Sequence, residues 1–399
     1  MLLATVTFGS RKARYLILQS VSAGLVASIS GFATSFALVI AGLQAVGATD
    51  AEASSGLLAL CLTVAVSSMV LAWRYRMPIS TAWSTPGAAL LVAAGVDDAN
   101  FAAAVGAFIL CGALIILCGL WPALGRLITR IPTPLASAML AGILLPICLA
   151  PVTAMIEVPQ LAWPIIVVWL ILFRLAPRWA VPAAMVAAAV TIALYAGDEW
   201  LYSDAIAPQL TFVAPVFDPV IMVSLGLPLF IVTMAGQNVP GFVVMKTFGY
   251  ETPARPALVG TGIGTAAGAF FGGHAINLAA ITAAIMASPE AHPDKAKRWV
   301  ATFSAGVIYL GLGLGAGVAT ALVSAAPTIL IIAVAGLAVL GALITSITSA
   351  LEAPRHRMPA IVTFLVTASG ITIVGIGSAL WGLLAGGVLM LWLGLRLRR

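Results

Sequence analysis

Long apolar runs alternate along the chain with short joints that carry almost all of its charge. Runs of this length match helices that cross a bilayer, which need about 20 apolar residues at about 1.5 Å each. Breaking the pattern at its polar and proline-rich joints predicts fourteen segments. They lie near 15–46, 54–73, 78–96, 101–121, 133–150, 161–174, 179–196, 219–245, 256–271, 274–288, 298–322, 327–350, 358–375 and 378–395. Segments three and ten are interrupted. In the third, Met77-Pro78-Ile79-Ser80-Thr81-Ala82-Trp83 reads as a short strand that starts at a proline. Ser84 or Thr85 can cap a helix that begins at Pro86 and ends by Gly95-Val96. In the tenth, Gly272 and Gly273 weaken a helix, and Asn277 is placed to cap one that restarts at Leu278 and stops before Pro289. That half-helix is too short to span a membrane. Non-helical backbone at such depth is tolerated only where it is buried in protein or lines a cavity. Interrupted helices of this kind point to a transporter's binding site. Two kinked, packed helices are the structural alternative.

Composition agrees with the pattern. The chain has 399 residues, of which 62% are hydrophobic and 8% charged, and its mean hydropathy is +1.13. It reads as an all-α polytopic membrane protein. The first apolar run follows Arg11, Lys12 and Arg14 and continues as a full span, unlike a cleaved signal. The net charge of +6 is scattered in ones and twos, which is no nucleic-acid footprint. Cys61, Cys111, Cys118 and Cys148 all lie within spans without metal spacing and read as packing residues, so neither a metal nor a cofactor is expected. With the N-terminus in the cytoplasm and sides alternating, all 19 Lys and Arg fall in inside joints. Asp50, Glu52, Asp97, Asp98, Glu157, Asp198, Glu199, Asp204 and Asp218 collect outside. By the positive-inside rule both termini are cytoplasmic.

The halves resemble each other at an offset of 194 residues. Met234-Ala235-Gly236-Gln237-Asn238-Val239-Pro240-Gly241 lies over the stretch from Ile40 to Gly47, Ala335-Gly336 over Ala141-Gly142, and His274 to Ala280 over Ser80 to Pro86. With seven segments per half, the second copy must run inverted, giving a 7+7 inverted repeat whose two half-helices aim their N-termini at one another.

No Lys, Arg, Asp or Glu falls at mid-membrane depth on this topology. Helix N-termini offer partial positive charge and unpaired N–H donors, so they suit an anion without an arginine. Gln237 and Asn238 add neutral amides ahead of Pro240-Gly241; the alternative is that they satisfy backbone freed by Pro240. Histidine is the ordinary side chain that titrates between pH 5 and 8, so His274 is the candidate for a coupled proton, unless it is a neutral histidine bonded to backbone at the kink. A proton could also travel on the substrate as a neutral acid. His292 and His356 fall in cytoplasmic loops and read as solvated. Phe32 and Trp83 stand out among the nearby aromatics as a wall for a flat ring. Gly260, Gly264, Gly268 and Gly272 form a stripe for close helix packing.

The Met234–Gly241 stretch and Gly273-His274-Ala275-Ile276-Asn277-Leu278-Ala279-Ala280-Ile281-Thr282 resemble signature stretches of the benzoate:proton symporter (BenE) family. The Pro-Ile-Ser-Thr-Ala-Trp-Ser-Thr-Pro-Gly run at 78–87 agrees, and the resemblance covers essentially the whole chain. It implies an architecture similar to uracil and xanthine permeases and to sulfate and bicarbonate carriers. The core domain would comprise 1–130 and 216–325, and the gate domain 131–215 and 326–399. The fold often assembles as a homodimer. Nucleobase permeases typically carry glutamates in segments eight and ten, where this chain has Gln237 and Asn277; the missing acids favour an anion. The implied function is import of benzoate or a similar aromatic carboxylate by proton symport across a bacterial inner membrane. The carboxylate would sit between Ser84, Thr85 and Gly87 on one side and Asn277 and Leu278 on the other, with Gln237 bonded to it. A nucleobase or inorganic-anion carrier, or an anion channel, are the alternatives. An enzyme is not expected, because the chain has no HExxH, GxSxG or intramembrane acid pair.

Overall fold

The computed structural model describes residues 11–94, 100–121, 132–197, 207 and 209–394. The first half contains α1 (Arg11–Ala33), α2 (Phe36–Ala45), α3 (Asp50–Tyr75), β1 (Thr81–Trp83), α4 (Thr85–Ala94), α5 (Phe101–Leu120), α6 (Thr133–Glu157), α7 (Pro159–Leu175) and α8 (Pro177–Ala196). The second half opens with α9, an apolar stretch over Pro219–Thr247. It continues with α10 (Ala254–Ala269), β2 (Ile276–Leu278), α11 (Ile281–Ala287), α12 (Trp299–Leu314), α13 (Ala316–Ser324), α14 (Thr328–Leu351), α15 (Arg357–Ala368), a hairpin of β3 (Thr372–Ile373) and β4 (Ile376–Gly377), and α16 (Ser378–Gly394).

Among the described residues, seven helices are long and apolar enough to cross a membrane, or eight if α12 and α13, bent by 50° at Gly315, count as one span. Large apolar side chains such as Leu194, Val388 and Leu391 stand exposed on the outer helix faces, as a lipid-facing surface requires. The charges at Asp97, Asp98, Arg126, Arg130, Asp198, Glu199, Asp204, Arg396, Arg398 and Arg399 lie outside the described residues, as does the Gly95-Val96 helix end.

Local chemistry explains the breaks. Thr34 Oγ1 and Ser35 Oγ both donate to Gly31 O, at 3.1 Å each. They take the carbonyl that a continuing helix would offer to the Ser35 amide, so the first predicted span divides into α1 and α2. Within α9, π-helical turns at Met222–Gly226 and Met234–Asn238 are each followed, two residues on, by Pro228 or Pro240. A proline cannot donate to the preceding turn and crowds its carbonyl, and a widened turn relieves both. At the other extreme, α3 starts on a capping box in which Thr49 and Glu52 satisfy each other's amides.

Several sequence expectations change. Asn277 does not cap a helix: it lies in β2, and α11 begins at Ile281. Its amide faces Ser84 N and Leu278 O, and pairing with β1 keeps the chain extended through Leu278. Segment thirteen shortens to α15 because its end, 371–377, turns into the β3–β4 hairpin. His292 is buried rather than solvated, its Nδ1 accepting from Asp294 N at 2.9 Å. The predicted glycine stripe keeps its place: Gly260, Gly264, Gly268 and Gly272 face Leu71, Thr63 and Glu52 of α3, while the contact with α5 uses Gly262 against Gly112.

Helix packing falls into two sets of neighbours. α3, α5, α10 and α12 pack together, with α1 on α12 and α11. α6 packs along α14, with α15 and α16 beside it, while α7 and α8 pack on each other. Between these sets, α2 meets α14, and α4 and the second π-helical turn meet α6.

Candidate functional site

The site is built around one short antiparallel ladder. β1 pairs with β2 in the register Thr81↔Leu278, Ala82↔Asn277 and Trp83↔Ile276. Two further bonds extend it, Ser84 N to Ala275 O at 2.8 Å and Ala279 N to Ser80 O at 2.9 Å. A two-stranded ribbon has bare edges, and at membrane depth each must find a partner. Side chains supply them: Ser68 Oγ accepts from Thr81 N (2.9 Å), Thr265 Oγ1 from Ile276 N (3.0 Å) and Asn238 Oδ1 from Leu278 N (2.9 Å). Asn238 is fully buried and its Nδ2 lies 3.2 Å from Met234 Sδ, so it holds the ladder.

Each strand leads into a half-helix. Ser84 follows β1, and its Oγ accepts from Gly87 N at 3.1 Å and from Thr233 Oγ1 at 3.0 Å. Ala280 precedes α11 and provides no side-chain cap. The first turns of both half-helices border a cavity of about 260 Å³. That is small for a ligand site and fits a small molecule. α1, α12 and α14 complete its wall through Gly31, Tyr309 and Val339, and α6 adds Leu144.

Sequence-predicted residues divide sharply here. Trp83, Thr85 and Gln237 line the cavity. Ser84, Gly87, Asn238, Asn277 and Leu278 are buried behind it, where they set the backbone. Phe32 stacks on Phe36 at 5.1 Å and meets the edge of Trp83 at 5.8 Å, so it supports the wall from behind. His274 is fully buried and not on the cavity wall; its ring lies 6.5 Å from that of Phe108, and neither nitrogen has a hydrogen-bond partner among the described residues.

Other cavity residues were not evident from sequence. Ser30, Thr34 and Ser35 form a hydroxyl cluster inside an apolar span, a signal that was present but easily read as packing. Tyr309 had no local signal, and Thr282, though it closes the Gly273–Thr282 stretch, was not singled out there; only folding brings them to the wall. Trp83 Nε1 donates to Ser35 Oγ at 2.8 Å, so those two are committed to each other. Gln237, Thr85, Thr282 and Tyr309 have side chains with no such commitment among the described residues. Ile281 is 82% exposed although it lines the cavity, which marks that side as open.

A second cavity of about 510 Å³ lies at the far ends of α2 and α4, against the start of α14. Gln44 Nε2 and Ser324 Oγ both donate to Asp50 Oδ1 there, at 2.8 Å. Between the two cavities these helices present Leu38, Ile40, Leu91, Val334 and Ala335, all buried. Among the described residues, no cluster of His, Cys, Asp or Glu could hold a metal.

Comparison with known proteins gives this geometry its context. Residues 16–391 match the family model described as benzoate membrane transport protein, BenE. The chain is 45% identical over 367 residues to the inner membrane protein YdcO of Escherichia coli (strain K12), covering 92% of this chain and 93% of that protein. It is 34% identical over 329 residues to the benzoate membrane transport protein of Acinetobacter baylyi, covering 82% and 83%. Among solved structures, the transmembrane domain of the cyanobacterial bicarbonate transporter BicA superposes with a TM-score of 0.60 at 17% identity, covering 93% of this chain and 97% of that one. SLC26A9 gives 0.61 at 14% identity, covering 98% and 68%. At such identities these two likenesses speak for the fold alone.

Proposed function

The chain belongs to the BenE family of benzoate membrane transport proteins, which are transporters and not enzymes, and on that premise we propose that it imports benzoate or a similar aromatic carboxylate by proton symport. The observation that carries the reading is Gln237: an amide with no protein partner among the described residues, on a π-helical turn, in the wall of a small cavity between two half-helix starts. π-helical turns collect at functional sites, and a neutral amide can donate to a carboxylate without burying a fixed cation. Thr85 and the first-turn amides of α11 are the further donors, since the opening amides of a helix have no intrahelical acceptor. The ring would lie against Trp83 and Ile281, with Phe32 behind. Ser84, Gly87, Asn238, Asn277 and Leu278 hold these donors in place.

The transport cycle in this reading moves the core domain (1–130 and 216–325) against the gate domain (131–215 and 326–399). Two cavities on one seam, divided by a buried apolar stretch, suit alternating access. The 7+7 repeat draws support from spacing: β1 and β2 begin at Thr81 and Ile276, and α6 and α14 at Thr133 and Thr328, the same separation in each case. The inner membrane, with both termini cytoplasmic, is the proposed location, in keeping with the charge pattern and the name of the Escherichia coli relative. His274 is the proposed proton carrier, as a buried imidazole whose nitrogens are both uncommitted.

Radiolabelled benzoate uptake into proteoliposomes, with and without an inward proton gradient, tests the whole. Wild type accumulates benzoate only with the gradient. Gln237→Leu abolishes uptake while the protein stays in the membrane; unchanged uptake removes Gln237 from the site. His274→Ala exchanges benzoate without concentrating it, and gradient-driven accumulation in that variant places the proton elsewhere.

A further inference from the structure

Tyr309 sits in the middle of α12 and is 6% exposed, yet its hydroxyl makes no hydrogen bond to the protein among the described residues. A phenol oxygen that faces a cavity without a protein partner is an unused donor. Packing fixes where it points. The ring meets Trp83 edge-on at 5.7 Å, and Trp83 is itself held by Ser35 and by its place in β1. The hydroxyl reaches across the cavity to α1 at Gly31. A side chain starting there would lie 2.8 Å from Tyr309 Oη and 3.2 Å from Thr282 Cγ2. The first separation is too short for a contact and the second is tight, so the absent Cβ leaves the room that the phenol occupies. Gly31 thus serves twice, since its carbonyl also takes the two hydroxyls that break α1 from α2.

We propose that Tyr309 is an anion-binding residue of this transporter, its hydroxyl donating to the substrate carboxylate, and that Gly31 is the position that admits it. The inference rests on the reading of the cavity as a carboxylate site and adds a donor to it. The hydroxyl converges with Thr282 of the first α11 turn on the wall that Gln237 also lines. A neutral phenol suits the task for the same reason as the amide: it donates strongly to a charged acceptor without carrying a charge of its own.

The test is a double-mutant cycle on initial rates of radiolabelled benzoate uptake in proteoliposomes. Tyr309→Phe keeps the ring contact and removes only the donor. It raises the KM for benzoate about tenfold, the usual worth of a hydrogen bond to a charged group, with maximal rate and thermal stability little changed. Gly31→Ala pushes the hydroxyl aside and raises KM as well. In the Tyr309→Phe background, Gly31→Ala adds little further, because the atom it displaces is gone. A KM in Tyr309→Phe equal to wild type overturns the proposal, as does simple multiplication of the two effects. Wild type that neither takes up nor binds benzoate, sulfate or bicarbonate overturns the cavity reading, and this inference with it. Wild-type benzoate uptake that ignores Tyr309→Phe overturns this inference alone.

Discussion

The starts of the two half-helices look equivalent in sequence and differ in structure. α4 is closed at its head: Ser84 caps Gly87 N, Pro86 has no amide hydrogen to offer, and Thr233 steadies the cap. α11 is open, beginning after an alanine with no side chain to take its first amides, and with Ile281 standing free in the cavity. Capping stabilises a helix by about 1 kcal/mol, which α11 forgoes at its start. The difference teaches that the pair is not a symmetric clamp. In the proposed reading one half-helix is mainly framework, and the other keeps its donors for a ligand.

The sharpest way to break this comparison is to close the open end. Ala280→Asp places an acceptor and a negative charge at the head of α11, where it competes with an incoming carboxylate. Uptake of benzoate falls by at least about a hundredfold, since facing like charges cost several kcal/mol. Retention of α11's stability or a gain in it, read as thermal midpoint in detergent, shows that the loss is not unfolding. Normal uptake would mean that these amides do not face the anion. A middle-sized effect comes from Asn238→Ala, which strips the buried Leu278 amide of its acceptor. Stability drops by about 1–3 kcal/mol and maximal uptake falls with it. The smallest effect on affinity is Ser84→Ala. It loses about 1 kcal/mol of stability, and KM for benzoate stays within about twofold of wild type. A large rise in KM there would restore α4 as an equal partner in binding.

How much of this was legible beforehand depends on the range of the forces involved. Pro78, Pro86, Gly272 and Gly273 act on their immediate neighbours, so the two strand-plus-half-helix units could be read directly. Pro240 likewise marked the break in α9, though not that a π-helical turn would absorb it. Asn277 misled for the opposite reason. Locally it is a good cap, but its fate was decided by β1, almost two hundred residues away in the chain, whose pairing holds it extended. Of the residues proposed for the site from sequence, the amides separated by one position went to different places: Gln237 to the cavity and Asn238 to the ladder. On a helix, adjacent positions point about 100° apart, and only the packing of neighbours says which of them meets the cavity. Tyr309 shows the limit. A tyrosine in an apolar run is common, and its meaning arises from a glycine on another helix.

The β1–β2 ladder has one more consequence. Because both half-helices spring from the same hydrogen-bonded ribbon, the gap between their heads is a fixed gauge. If the ribbon travels whole during transport, the ruler that measures a substrate is the same on either side of the membrane. Discrimination among acids of different length then does not depend on the direction of travel. Ranking a homologous series of carboxylates by uptake and again by efflux would yield one order.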